Sequence, residues 1–395
     1  MDLEFSPYDD RVQIDPYPVY ARLREQAPVF YNGEDDFWAL SRHADVFAAF
    51  RDPSRYSNRN GTLLEKRNWG PDASRYLSFL AMDPPRHTVL RAMAAAGFTP
   101  ARVAALEPRI RDIACRHLDT AMQRDSFDFM TDFAVLLPRD VICELIGVPE
   151  TDRTEIRRLI DLTVHREEGS RDIPKETIEG VLKLISYYGD LIEDRRRRRR
   201  DDFISALLDA VATTEGDDRV TNDELISMVF LLTGAGNETT THLLGNAWHA
   251  AWRHPDQKAD ALGGRISEWV EESLRFDPPA QSVVRTATTD LHLHGHTIPR
   301  NERVLLIIGA AHRDPAEFDQ PDQFRLDRDT SRNLSFGLGT HFCLGAALAR
   351  LEARVALTQL ATVISDYDID VDNATRVRFA HVRGFLSMTT TITRR

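Results

Sequence analysis

One cysteine in this chain stands where a metal-bound thiolate could be held. Cys343 lies in the run Phe336-Gly337-Leu338-Gly339-Thr340-His341-Phe342-Cys343-Leu344-Gly345, just ahead of an amphipathic pattern that predicts a helix beginning near Leu344. Gly337 and Gly339 permit turns that other residues resist and let backbone amides approach the sulfur, while the helix N-terminus adds a positive dipole end. Both features favour the anionic sulfur that binds metals. The other two cysteines, Cys115 and Cys143, are distant and form no CxxC pair, so neither a disulfide framework nor a zinc knuckle is suggested and a reducing cytoplasm fits.

A second run, Ala235-Gly236-Asn237-Glu238-Thr239-Thr240, puts a glycine, an acid and two threonines where a buried helix normally carries leucines, and Leu231, Leu232, Leu243 and Leu244 bracket it. Gly236 alone costs about 1 kcal/mol of helix stability relative to alanine. A helix tolerates that where something lies against its backbone, and a threonine hydroxyl bonding back one turn can open the ladder locally. His87 and Arg91, at i and i+4, present two groups suited to a carboxylate on one helical face. Glu272 and Arg275, at i and i+3, pair an acid with a base.

The phenylalanine, the two glycines, the histidine, the cysteine and the final glycine of the first run match the haem-binding loop of the cytochrome P-450 family, which the chain resembles elsewhere too. That resemblance implies haem b with Cys343 as its axial iron ligand and Phe336, Gly337, His341 and Gly345 around it. It implies that His87, Arg91, Arg285 and His341 grip the haem propionates, that Ala235 and Gly236 lie against the distal side, and that Glu238 and Thr239 relay protons toward dioxygen. Glu272 and Arg275 become a buried structural pair completed by a third arginine. Gln323 stands where many relatives carry arginine, which leaves Arg325 or Arg328 for that part; His312 and Asn301 likewise replace an asparagine and a glycine common in relatives.

The implied fold is mainly α with small β-sheets, the haem lying between a long central helix and the cysteine-loop helix. The implied activity is monooxygenation: one atom of O2 enters a largely apolar organic substrate by hydroxylation or epoxidation, and the other leaves as water. The segment after Cys343 is too short for a reductase domain, so a ferredoxin and its NAD(P)H-dependent reductase are the expected electron donors. They would dock on the cysteine-loop side, where Arg91, Arg102, Arg109, Arg350 and Arg354 could form a basic patch. Similarity to soluble bacterial members suggests secondary metabolism and a polyketide, terpenoid or peptide-like substrate, with fatty acids and catabolic terpenes as alternatives. The rival readings are a peroxide-using or non-oxygenating haem-thiolate enzyme and a haem-based binder or sensor.

Several elements must position these groups. Thr221-Asn222-Asp223-Glu224 is a capping box, and the helical pattern continues to Arg253 before His254-Pro255 stops it. About 30 residues at 1.5 Å each predict a rod of roughly 50 Å. Asp83-Pro84-Pro85 reads as a helix start with the acid at the N-cap. Periodicity predicts further helices over 18–26, 102–122, 140–146, 176–195 and 203–211, and strands near 29–31, 37–40, 285–293, 303–308 and 379–392. The chain is read as one domain over 1–395, with a β-rich flank to about residue 60 and a helical body carrying the haem site beyond it. The pocket walls are expected over 60–80, 159–192, 231–234, 280–284 and 385–387. Trp69, Phe79, Leu80, Leu231, Leu232, Gly234, Val283 and Phe385 supply apolar contact, with Glu65, Lys66 and Arg67 facing water.

With 42% hydrophobic residues the chain can build a substantial core, and its net charge of −12 disfavours nonspecific nucleic-acid binding. Residues 1–11 are acidic and polar, and the longest apolar runs, such as 304–311, are too short to span a bilayer, so a soluble, unanchored, cytoplasmic monomer is expected. The arginines from Arg195 to Arg200, flanked by Glu193, Asp194, Asp201 and Asp202, read as a solvated turn between helices. His292, His294 and His296 alternate with leucines ahead of Gly295 and Pro299, which predicts a half-exposed hairpin with the three histidines on one strand face rather than a metal site.

Overall fold

The computed structural model describes residues 3–65, 69–164, 174–214, 216 and 219–395. Its organising element is the helix Asn222–Trp252, 31 residues long, which opens on the anticipated capping box: Thr221 Oγ1 accepts the Glu224 N–H and the Glu224 carboxylate accepts the Thr221 N–H. The helices Leu136–Ile146, Lys175–Arg197, Ile266–Phe276 and Ala346–Val363 all pack on it. Its buried end is a stack of rings. Trp248 lies 4.8 Å from Phe129 and 3.6 Å from Tyr367, each ring adding apolar area and stacking energy to the same core.

Four small sheets surround this body. The largest runs in the order Val29–Asn32, Phe37–Leu40, Arg303–Ile307, Ser282–Ala287 and Tyr56–Ser57, every pair antiparallel except the second with the third. Arg303–Ile307 is buried at every position, as the apolar run that follows Arg303 requires of a central strand. A three-stranded sheet joins Ser126–Asp128, Thr389–Arg394 and Ile364–Ile369. The fold is therefore mainly α with small sheets, as the resemblance implies.

Several details differ from the sequence reading. The flank to residue 60 is not a separate β unit: it carries the helices Asp10–Ile14, Tyr17–Gln26 and His43–Arg51, and while Val29–Asn32 pairs with Phe37–Leu40, the strands Phe37–Leu40 and Tyr56–Ser57 find partners beyond residue 280. The helix expected over 102–122 is two, Pro100–Ala105 and Glu107–Ala121, because Pro108 lacks the N–H that would continue the ladder. Residues 379–392 hold two strands, Phe385–Ser387 and Thr389–Arg394. Asp83 caps nothing; its carboxylate takes the Ser57 hydroxyl and the Asn58 N–H, and the helix Arg86–Ala95 starts behind Pro85 without a side-chain cap.

The arginine run is not a solvated turn throughout. The helix Lys175–Arg197 extends into it, and Arg195 is fully buried between Asp202, Asp194 and the Gly147 carbonyl. Asp202 is itself buried as the N-cap of Phe203–Val211, and a buried carboxylate there needs a cation. The histidine segment forms the hairpin Leu291–Leu293 with His296–Ile298, but the histidines do not share one strand face. His294 sits in the turn at φ 49° facing Asp45, and His292 bonds Thr297 Oγ1 across the ladder.

The acid–base pair is buried. Arg275 grips Glu272 through two hydrogen bonds of 2.8 and 2.7 Å and donates to the carbonyls of His312, Pro321 and Gln323. Arg328 completes it, with Nε 3.2 Å from Glu272 Oε1, whereas Arg325 offers only its backbone N–H and turns its side chain to Asp319 and Asp327. His312 fills its own place by accepting the Leu334 N–H at 2.7 Å.

Candidate active site

The cysteine loop is closed by its own backbone. Cys343 N–H donates to the Phe336 carbonyl at 2.8 Å, and Gly337 and Gly339 adopt φ of 63° and 68°. At Gly339 a Cβ would meet the Phe50 carbonyl at 2.8 Å, so the glycine is required twice over. The following helix runs from Ala346 to Val363 with Gly345 at its N-cap, two residues later than the sequence suggested. The Gly345 and Ala346 N–H groups point at the sulfur. Those amides and the Arg91 and Arg350 charges favour the anion, but burial outweighs them and holds the thiol above its ordinary value. Cys343 is exposed by area yet surrounded by protein, the combination of a group lining an interior space.

Beside it lies a corner rich in groups that can carry positive charge. The His87 and His341 rings are 4.1 Å apart. Both ring nitrogens of His87, and Nε2 of His341, are buried without a hydrogen-bond partner. Arg285, buried on the strand Ser282–Ala287, donates to the Val284 carbonyl and stands over the Phe50 ring. Arg91 donates to the Phe342 carbonyl, next to the cysteine. Burial and the neighbouring arginines push His87 down to about 4 and His341 to about 3, and burial lowers Arg285 to about 10. Among the described carboxylates Asp83 is the one that acts on both His87 and Arg285, and it is already engaged by Ser57 and Asn58. The corner can therefore take up carboxylate groups at the margin of a larger molecule.

On the long helix, Thr239 Oγ1 bonds back to the Ala235 carbonyl at 2.9 Å, as anticipated, while the helix stays α-helical throughout. Ala235 is exposed in the middle of a stretch whose other residues are buried or half-buried, and a Cβ at Gly234 would meet open space. Gly236 departs from expectation: its missing side chain makes room for Ile142 of the adjacent helix, 3.3 Å from where a Cβ would lie, rather than for a ligand. Ala235 and Gly234 are the small residues on the open face.

Of the other wall candidates, Leu80 and Leu231 are half-buried, Leu232 is buried in the main core, and Val283 is half-buried against the largest sheet. Trp69 packs instead with the N-terminal cluster of Phe5, Tyr20 and Phe37. Phe385 is 2% exposed and lies 4.8 Å from the His249 ring, so the strand alternation turns it into the core and its neighbour Leu386 outward. Lys66, Arg67 and residues 165–173 of the expected wall lie outside the described residues. His242, buried with Nδ1 unpartnered and its ring against Gly384, was not anticipated; its place one turn beyond Glu238 in the helical pattern was the available signal.

Residues 266–392 match the family model for cytochrome P450. A putative cytochrome P450 123 of Mycobacterium tuberculosis is 48% identical over 387 residues, covering 97% of this chain and 96% of its own length. The chain belongs to the cytochrome P450 family. The vitamin D(3) 25-hydroxylase of Pseudonocardia autotrophica is 40% identical, over 87% of this P450 and 85% of that protein. The structure of cytochrome P450 CYP109Q5 from Chondromyces apiculatus superposes with a TM-score of 0.90 at 33% identity, covering 100% of both chains. This P450 is a haem b monooxygenase by family, acting on a small molecule with O2 and electrons from redox partners. Its residues fit that cofactor: unpartnered buried histidine nitrogens and two arginines suit two propionates, and a sulfur with two N–H groups aimed at it suits iron.

Proposed function

We propose that Cys343 is the axial ligand of haem b, that His87, Arg91, Arg285 and His341 hold its propionates, and that Glu238 and Thr239 deliver protons on the opposite side. The bound haem supplies the electron-accepting metal at which dioxygen is activated. The observation that carries the reading is the gathering of an accessible sulfur, two amide donors and the unpartnered histidines at one place.

The residues divide the work. Gly345 and Ala346 stabilise negative charge on sulfur once metal binding has removed its proton, and Arg91 ties the anchor helix to the loop through Phe342. Thr239 holds the Ala235 carbonyl, so its hydroxyl stays on the open face where a proton can be passed, with Glu238 adjacent in sequence as the donor behind it. Leu80, Leu231 and Val283 exclude water around the substrate. The pocket's apolar walls and the vitamin D(3) relative favour a rigid, largely apolar scaffold, of terpenoid or polyketide class, hydroxylated or epoxidised in secondary metabolism. Electrons come from a ferredoxin and its NAD(P)H-dependent reductase in the cytoplasm; no single described helix is long and apolar enough to cross a membrane.

The test is the ferrous carbon-monoxide difference spectrum of the purified protein and of Cys343→Ser. A Soret band far to the red of histidine-ligated haem, lost in the variant, supports the reading. A haem-loaded, folded wild type without that band overturns it.

A further inference from the structure

Ser78 has a backbone that its side chain resists. It sits at φ 48° and ψ −138°, fully buried, at the join between the short helix Ser74–Leu77 and the 3-10 turn Ser78–Ala81. Glycine occupies that region freely, whereas a residue with a Cβ persists there only when its surroundings impose it. The surroundings here include a hydroxyl pair: Ser78 Oγ and Ser227 Oγ share a hydrogen bond of 3.1 Å, and Ser227 Oγ is also 3.0 Å from the Glu224 carbonyl. The far end of the segment is held separately, by Asn58 Nδ2 donating to the Leu80 carbonyl at 2.9 Å.

The position of this bond gives it a role. Along the long helix, Ser227, Leu231, Gly234 and Glu238 follow spacings of four, three and four, so they lie on one face. Ser227 therefore stands on the face that opens at Gly234, about 10 Å toward the N-terminus at 1.5 Å per residue. The residues after Ser78 reach the other wall: Phe79 is buried edge-on to His87 at 6.2 Å, and Leu80 is half-buried.

We propose that Ser78 and Ser227 are positioning residues forming a strained latch. Their hydroxyl bond holds residues 74–81 over the open face of the long helix and so sets the size of molecule that reaches it. Broken, the bond lets Ser78 relax to an ordinary conformation, and the segment swings on the Leu80 carbonyl that Asn58 holds, drawing Phe79 away. The consequence for ligands rests on the haem-pocket reading; the latch itself does not.

Hydrogen–deuterium exchange of the holoprotein tests it in Ser227→Ala, Ser78→Ala and Ser78→Gly. Both alanine variants are expected to speed amide exchange across residues 74–81 at least tenfold, with the long helix beyond Leu231 unchanged. Ser78→Gly is expected to change it less than threefold, because glycine needs no support at that φ. Should Ser78→Ala fail to fold, Ser227→Ala carries the comparison. Unchanged exchange in Ser227→Ala, or equal effects of glycine and alanine at residue 78, overturns the latch. Stopped-flow binding of 4-phenylimidazole, read by the Soret shift, should show at least a fivefold faster on-rate in Ser227→Ala. An unaltered on-rate with faster exchange would overturn its control of access, and failure of the haem reading would show separately in the carbon-monoxide spectrum.

Discussion

Residue chemistry in this P450 is dominated by polar groups buried without full partners. Burial pushes His242 down to about 4 and His249 to about 3, so both are neutral in the fold at neutral pH. Unfolded, each takes a proton as pH falls through about 6.5, and the folded chain cannot follow until pH 4 or below. Stability is therefore lost on acidification, at about 2 kcal/mol per histidine by pH 5. Denaturant melts at pH 7 and 5 should show that loss, and His242→Gln should flatten its slope. Glu352 works in the opposite direction. Buried with Oε2 unpartnered, its carboxyl is held well above its ordinary value, so it favours folding below about pH 4.5 and loses that advantage as pH rises. Glu352→Gln is expected to raise the pH 7 melting temperature; a lower one would mean an interaction that these contacts do not contain. At the reaction itself, Thr239→Ala frees the Ala235 carbonyl and removes a hydroxyl from the open face. Product formed per electron consumed should fall several-fold, with hydrogen peroxide released in its place.

At the scale of elements, fixed joints carry the site. Arg275 is buried with two bonds to Glu272, and removing one partner of such a pair leaves the other charge stranded, at a cost of about 3–5 kcal/mol. Arg275→Met should lose that stability and retain haem poorly on gel filtration. Arg328→Met, which removes a longer contact, should do less. The two helices proposed to bear the distal and anchor groups are joined at their starts, where Glu224 both caps the long helix and takes Arg86 in two hydrogen bonds. Helix existence and the capping box were legible because they depend on neighbours three and four residues away. The break at Leu106 was missed even though Pro108 was visible, since periodicity ran through it.

Across the whole molecule, most arginines of the basic face expected on the cysteine-loop side already have partners within the chain. Arg350 makes two bonds to Glu271, Arg109 lies 3.5 Å from Glu144, Arg102 lies 3.4 Å from Asp201, and Arg91 turns to the loop backbone. Arg354, exposed on the cysteine-loop helix, is the member of that set best placed to meet an acidic electron carrier. Arg354→Glu is expected to slow reduction by ferredoxin several-fold at low ionic strength, less at high, with an unchanged Soret band. An unchanged rate at low salt would put docking elsewhere.

The sequence by itself determined the family and the kinds of groups at the site, because Cys343, its glycines, the Glu238–Thr239 run and the His87–Arg91 spacing are local patterns whose chemistry lies in residue type. It also determined the long helix, whose caps and stops lie within a few residues of its ends. Only the tertiary structure decided where side chains point. Gly236 faces Ile142 rather than the open space, Phe385 enters the core, Trp69 joins the N-terminal cluster, and Arg328 rather than Arg325 reaches Glu272. Each of these depends on residues far away in sequence, and close packing allows a side chain one side or the other but not both. The thiol of Cys343 shows the same division: its loop amides were foreseeable, whereas the burial that outweighs them comes from the whole fold around it.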